Sequence, residues 1–213
     1  MDQHTQKLMD VRLEKAKEAL IENNMDARIL ENKEAVLKEI QSIIEPKSRV
    51  TIGGSQTLFE CGVIDLLRKM DINFEDRYAQ GLSREEIEVI YHNAFQCDYY
   101  LASSNAVTMN GELYNVDGTS NRVAAMSYGP KYVILVVGQN KIVKDLTEAK
   151  WRVENIAAPA NNLRLNKNNA CTFSGSCIDC KSDTRICATF VTHARQQKKG
   201  RFIILLVKED YGY

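Results

Sequence analysis

Four cysteines, Cys171, Cys177, Cys180 and Cys187, fall within seventeen residues in a C-x5-C-x2-C-x6-C spacing. Two residues between Cys177 and Cys180 let both thiolates face one ion, and four thiolates complete a tetrahedral zinc site or hold an iron–sulfur cluster. The spacing matches neither ferredoxin pattern and is tighter than most zinc ribbons, so buried free thiols and a reversible Cys177/Cys180 redox pair stand beside the metal reading. With four protein ligands no coordination position stays open, so a bound metal would staple the chain and not catalyse. Cys61 and Cys97 lie in helical patterns and read as core.

A second group of chemical residues is central. Ser103-Ser104-Asn105 ends an apolar run, Asn110-Gly111-Glu112 is a turn, and Asn115 to Arg122 reads Asn-Val-Asp-Gly-Thr-Ser-Asn-Arg. Carboxylate, amide, hydroxyl and guanidinium groups at this density suit a polar substrate. Glu112 and Asp117 are the candidate general bases. Arg122 is a candidate bidentate clamp for a carboxylate or phosphate, with Asn115, Gly118, Thr119 and Asn121 as further contacts. The competing reading is turn and cap chemistry alone, with Asp117 capping the helix that follows.

The third group is Gly53-Gly54-Ser55-Gln56-Thr57. Glycines let the backbone approach a ligand, and Ser55 and Thr57 add hydroxyls. The run lacks the Lys of a phosphate-binding P-loop and the third glycine of the dinucleotide fingerprint. A plain strand-to-helix turn with Ser55 as N-cap also accounts for it.

These segments must be held by alternating strands and helices. Residues 1–45 read as two helices around a short break at 25–30. Arg49–Ile52, Asp98–Leu101, Tyr132–Val137 and Phe202–Val207 read as strands, with helices over 57–70, 83–95, 119–127 and 145–158. Ser83 with Glu86 is a capping box, and Asn110-Gly111 turns a hairpin. Trp151 reads as core. The pattern predicts an α/β fold with a mainly parallel sheet and helices on both faces. It predicts one domain over 1–213, with a Cys-rich insertion or lid over 159–190. In open sheets of this kind ligands sit beyond the strand C-termini, where all the polar segments fall.

Lys plus Arg and Asp plus Glu number 28 each, and 44% of residues are hydrophobic. A balanced charge offers no field for nucleic acid or an acidic membrane. The apolar runs are strand-length, and the first twenty residues are amphipathic with no signal core, so the expectation is a cytoplasmic protein. In a reducing compartment the cysteines are expected as thiols or metal ligands. Homodimerisation is only the default expectation.

Thr51–Leu58, Ala102–Asn105, Asn115–Arg122 and Tyr132–Gly138 together resemble the LUD (lactate-utilisation) domain family over nearly the whole chain. Asp-Gly-Thr-x-Asn-Arg is the most specific part. The Cys-rich segment followed by Lys208-Glu-Asp-Tyr-Gly212 looks like a cysteine-containing bacterial subgroup. The resemblance implies a fold similar to the ribose-5-phosphate isomerase, glucosamine-6-phosphate deaminase and CoA-transferase group, whose members bind phosphates, CoA or sugar phosphates at strand ends. It places Gly53, Gly54, Ser55 and Thr57 on the glycine-rich first turn. It also implies a role in L-lactate oxidation beside iron–sulfur partner subunits. Three functions follow as expectations: a small-anion-binding protein of hydroxy-acid metabolism, a metal- or redox-dependent sensor using the cysteine cluster, and a sugar-phosphate isomerase-like enzyme.

Overall fold

The computed structural model describes residues 2–213. Six parallel strands form the main sheet in the order β1 (Asp26–Leu30), β10 (Phe202–Val207), β7 (Tyr132–Gly138), β4 (Tyr99–Ala102), β2 (Arg49–Ile52) and β3 (Asn73–Glu75). β10, β7 and β4 are buried almost throughout, which is why they read as continuous apolar runs and not as alternating ones.

Alternate residues of these strands feed two cores. Leu135, Val137, Ile204 and Leu206 pack with α1 (Gln3–Glu22) and α6 (Asn121–Ser127) on one face. Ile134, Val136, Leu205 and Val207 pack on the other with α2 (Lys33–Ile43), α3 (Gln56–Glu60) and α4 (Val63–Leu67). The expected α/β sheet covered on both faces is thus observed. Within α1 the buried stripe is Leu13, Ala16 and Leu20, whereas Leu8, Val11 and Ile21 are exposed.

A second sheet lies on the α1/α6 side, in the order β8 (Ile142–Val143), β5 (Ala106–Thr108), β6 (Leu113–Asp117) and β9 (Thr189–His193). The β5–β6 pair is the antiparallel hairpin expected at Asn110-Gly111. β8 and β9 are not legible in sequence: β8 has two residues, and β9 alternates Thr, Phe, Val, Thr and His with Phe190 half exposed.

Three details depart from the periodicity. The helix expected over 57–70 is two, because Gly62 takes a left-handed φ of 72° between them. The helix expected to stop before Pro159 continues: α7 (Leu146–Arg152) passes through a π turn at Val153–Ala157 into α8 (Ala158–Arg164). The wider turn re-routes the carbonyl bonds near the proline, which has no N–H of its own. Trp151 is 55% exposed, because α7 turns Ala149 and Arg152 inward instead. The capping box at Ser83 is formed and opens α5 (Arg84–Asn93).

Candidate functional site

After β2 the chain crosses to β3 by α3 and α4 on one face. After β4 it runs through the second sheet and α6 on the other face to reach β7. Strand order therefore reverses between β2 and β4, and in open sheets such a switch point leaves a crevice beyond the strand ends. A cavity of about 350 Å³ occupies it. Gly54 and Ser55 approach it from the end of β2, Arg77 and Tyr78 from the end of β3, and Ser103 and Ser104 from the end of β4. Asn105, Asp117, Gly118, Thr119, Asn121 and Arg122 close it from the second-sheet side. Two of the three polar segments singled out in sequence meet the Gly-Gly-Ser turn here.

Each predicted residue has a specific place. Gly53 does not line the cavity. A Cβ there would lie 2.6 Å from the Tyr100 hydroxyl and 3.0 Å from Cγ of Arg122, so the position must be glycine for packing. Ser55 caps α3, its Oγ accepting from Leu58 N–H at 3.3 Å, as the plain-turn reading has it. Thr57 is buried behind the cavity. Asp117 accepts from the N–H groups of Thr119 and Val123, both at 3.3 Å, and so pins the start of α6.

Arg122 is buried, and its terminal nitrogens donate to Ser103 O, Val116 O, Asn115 Oδ1 and Asn105 Oδ1 at 2.7–3.0 Å. Its Nε stands 3.7 Å from Asp117. The guanidinium therefore ties two strand-end segments together and lends the cavity a fixed positive charge, not an open fork. Asn115 is fully buried behind it, with Nδ2 unpartnered. Glu112 does not reach the cavity: it hydrogen-bonds Thr108 Oγ1 at 3.0 Å in the hairpin turn, beside Gly111, which packs on the α1 backbone.

The residue that sequence reasoning missed is Lys141. It ends a short 3₁₀ turn after β7, is 3% exposed, and donates from Nζ to Thr57 Oγ1 at 2.7 Å and Ser103 Oγ at 3.1 Å. No carboxylate lies within ion-pair distance among the described residues. Burial, reinforced by Arg152 and Arg122, pulls its ammonium down to about 7. No motif in Gly-Gln-Asn-Lys announces this; the only signal was a lysine just past the end of a core strand. Arg77 was missed too. It stacks over the Tyr78 and Tyr91 rings at 5.2 and 4.6 Å, bonds the Tyr91 hydroxyl and leaves its buried Nε unpartnered. Arg164 reaches the cavity from α8, held by Asn161 Oδ1. Against these three basic side chains and Arg122, Asp117 is the one Asp or Glu in the lining.

The Cys-rich segment forms part of the wall. Ile186 lies against Gly118, 3.4 Å from where its Cβ would be, and Leu165 and Asn161 also face the cavity. Cys61 and Cys97 are buried core thiols, as expected. His193 is buried against Phe202, and burial lowers it to about 4, so it stays neutral away from the cavity.

An open parallel sheet covered by helices, with a polar cavity at its switch point, defines a domain of the α/β class. The chain belongs to the LUD domain family, whose model matches residues 13–207. The crystal structure of a DUF162 family protein from Deinococcus radiodurans superposes on 93% of this chain and 97% of that one, with a TM-score of 0.53 at 15% identity, a likeness of fold. No curated protein matches the sequence. Among the described residues no helix is long and apolar enough to cross a membrane.

Proposed function

We propose that this chain is a lactate-utilisation-type protein that binds a small anion, a carboxylate or a phosphate- or CoA-bearing metabolite, in the strand-end cavity. The observation that carries the reading is the charge balance. Arg77 and Arg164 face the cavity without a carboxylate partner, and Asp117 is already engaged by Arg122 and two backbone N–H groups. An anion bound there would meet two guanidinium groups that no protein carboxylate neutralises.

Within this reading Lys141 takes the role first given to Glu112 and Asp117. A lysine lowered to about 7 is about half neutral near pH 7, which suits it to act as a general base toward a ligand in the cavity. Thr57 and Ser103 fix its direction. Arg77 and Arg164 hold the anionic end of the ligand.

The test is thermal-shift titration of the full chain with L-lactate, inorganic phosphate, CoA and ribose 5-phosphate, repeated in Arg77→Gln and Lys141→Met. Stabilisation by at least one of these, lost in Arg77→Gln, is expected. The reading fails if none of the four stabilises the wild-type chain, or if both variants respond as the wild type does.

A further inference from the structure

The Cys-rich segment carries an inference independent of the anion reading. Cys171 begins α9 (Cys171–Ser174), Cys177 and Cys180 form the hook, and Cys187 precedes β9. All four are free thiols, and all four line a single small cavity of about 20 Å³, together with Asn162 and Arg185. That volume is on the scale of one small ion or water. Among the described residues no three His, Cys, Asp or Glu side chains are already set around a metal position. The thiols share the space without being drawn together.

Two N–H groups already point at the sulfurs. The backbone N–H of Asp179 donates to Cys177 Sγ at 3.3 Å, and Asn162 Nδ2 donates to Cys171 Sγ at 3.4 Å. A sulfur is a weak acceptor as a thiol and a far better one as an anion. Asp179 has a left-handed φ of 51°, which bends the hook between its two cysteines. Arg185 donates to the carbonyls of Cys180 at 2.6 Å and Cys187 at 2.7 Å, so a guanidinium stands beside the thiols. Cys177 and Cys187 also line a groove of about 460 Å³.

We propose that Cys171, Cys177, Cys180 and Cys187 form a tetrahedral four-thiolate site for a single zinc-class divalent ion, which pins the segment between α8 and β9. On binding, each S–H bond is replaced by an S–metal bond and its proton is released to solvent. Arg185, itself paired with Asp179, ties the loop around the site through the carbonyls of Cys180 and Cys187. No position is left open for a substrate, so the ion acts on structure.

The experiment uses the full chain, purified under reducing conditions without chelator. Elemental analysis is expected to find about one zinc per chain. Metal-free protein titrated anaerobically with Co²⁺ is expected to develop thiolate-to-cobalt charge transfer and the intense d–d bands of tetrahedral cobalt. One equivalent of Zn²⁺ should abolish both. Cys177→Ser should lose the bands, while Cys180→His should keep the tetrahedral d–d bands with weaker charge transfer. Because the wild-type titration decides alone, a variant that fails to fold leaves the test intact. Wild-type protein with no zinc and no cobalt bands overturns the proposal. So does iron with labile sulfide, or a Cys177–Cys180 disulfide that re-forms in air without metal uptake. A failed ligand screen at the strand-end cavity leaves this result unaffected.

Discussion

At Lys141 a single proton links stability to the site. Its folded value of about 7 lies well below the unfolded lysine value of about 10.4, because the buried ammonium is desolvated. Between those values the unfolded chain binds more protons than the folded one, so stability rises with pH across that window. Below about pH 7 both states are protonated and the full penalty is felt. Chemical denaturation from pH 6 to 10 is therefore expected to show a rise of at most about 1.4 kcal/mol per pH unit from this group. Lys141→Met should flatten that rise and be at least as stable as the wild type at pH 6. An unchanged slope would mean that Lys141 is charged in the folded chain at neutral pH. Gly53 gives a second residue-scale prediction. Gly53→Ala puts a methyl 2.6 Å from the Tyr100 hydroxyl, inside a closed core, and should cost about 1–3 kcal/mol. Gly53→Ala with Tyr100→Phe should recover part of that loss, since the hydroxyl is the nearest obstacle.

The elements show which signals a sequence carries and which it does not. The strands β2, β4, β7 and β10 were legible because parallel strands buried on both faces read as unbroken apolar runs. The hairpin and the capping box were legible because specific residues serve their turns. The continuation of α7 past Pro159 was not, since a π turn depends on what packs around it and leaves no compositional mark. The site shows the same division. Gly54, Ser103 to Asn105 and Asp117 to Arg122 were legible as polar residues at strand ends. Lys141 and Arg77 were hidden, because their meaning comes from burial and from missing partners, and both are tertiary facts. At the hairpin, Gly111 has a left-handed φ of 77°, and a Cβ would fall 2.5 Å from the carbonyl carbon of Ala19 in α1. Gly111→Ala should thus cost about 2 kcal/mol or more, combining backbone strain with displacement of α1. Urea unfolding followed by circular dichroism measures it; a loss under about 0.5 kcal/mol would mean that α1 yields without penalty.

On the scale of the whole molecule, the strand-end cavity has one rigid side and one made of irregular chain. The rigid side is the sheet, with Arg122 tying Ser103, Asn105, Asn115 and Val116 together. The other side is the segment from α8 to Cys187, which touches the cavity through Asn161, Arg164, Leu165 and Ile186. That segment has little core of its own, and Phe173 and Ile178 are exposed. Arg185 joins its two halves through Asp179, Cys180 and Cys187, and Asn169 bonds both Asn162 and Thr184. A segment held by few polar ties opens locally well below the free energy of global unfolding. In metal-free protein Arg185→Ala should therefore accelerate limited proteolysis between residues 172 and 186 by about tenfold, a local loss of about 1.4 kcal/mol, while the global urea midpoint hardly moves. Any anion that stabilises the wild-type chain should bind this variant more weakly, because Ile186 no longer closes against Gly118. Equal cleavage rates in the two proteins would show that the cysteine hook holds the wall without Arg185; faster cleavage with undiminished ligand binding would detach the wall from the site.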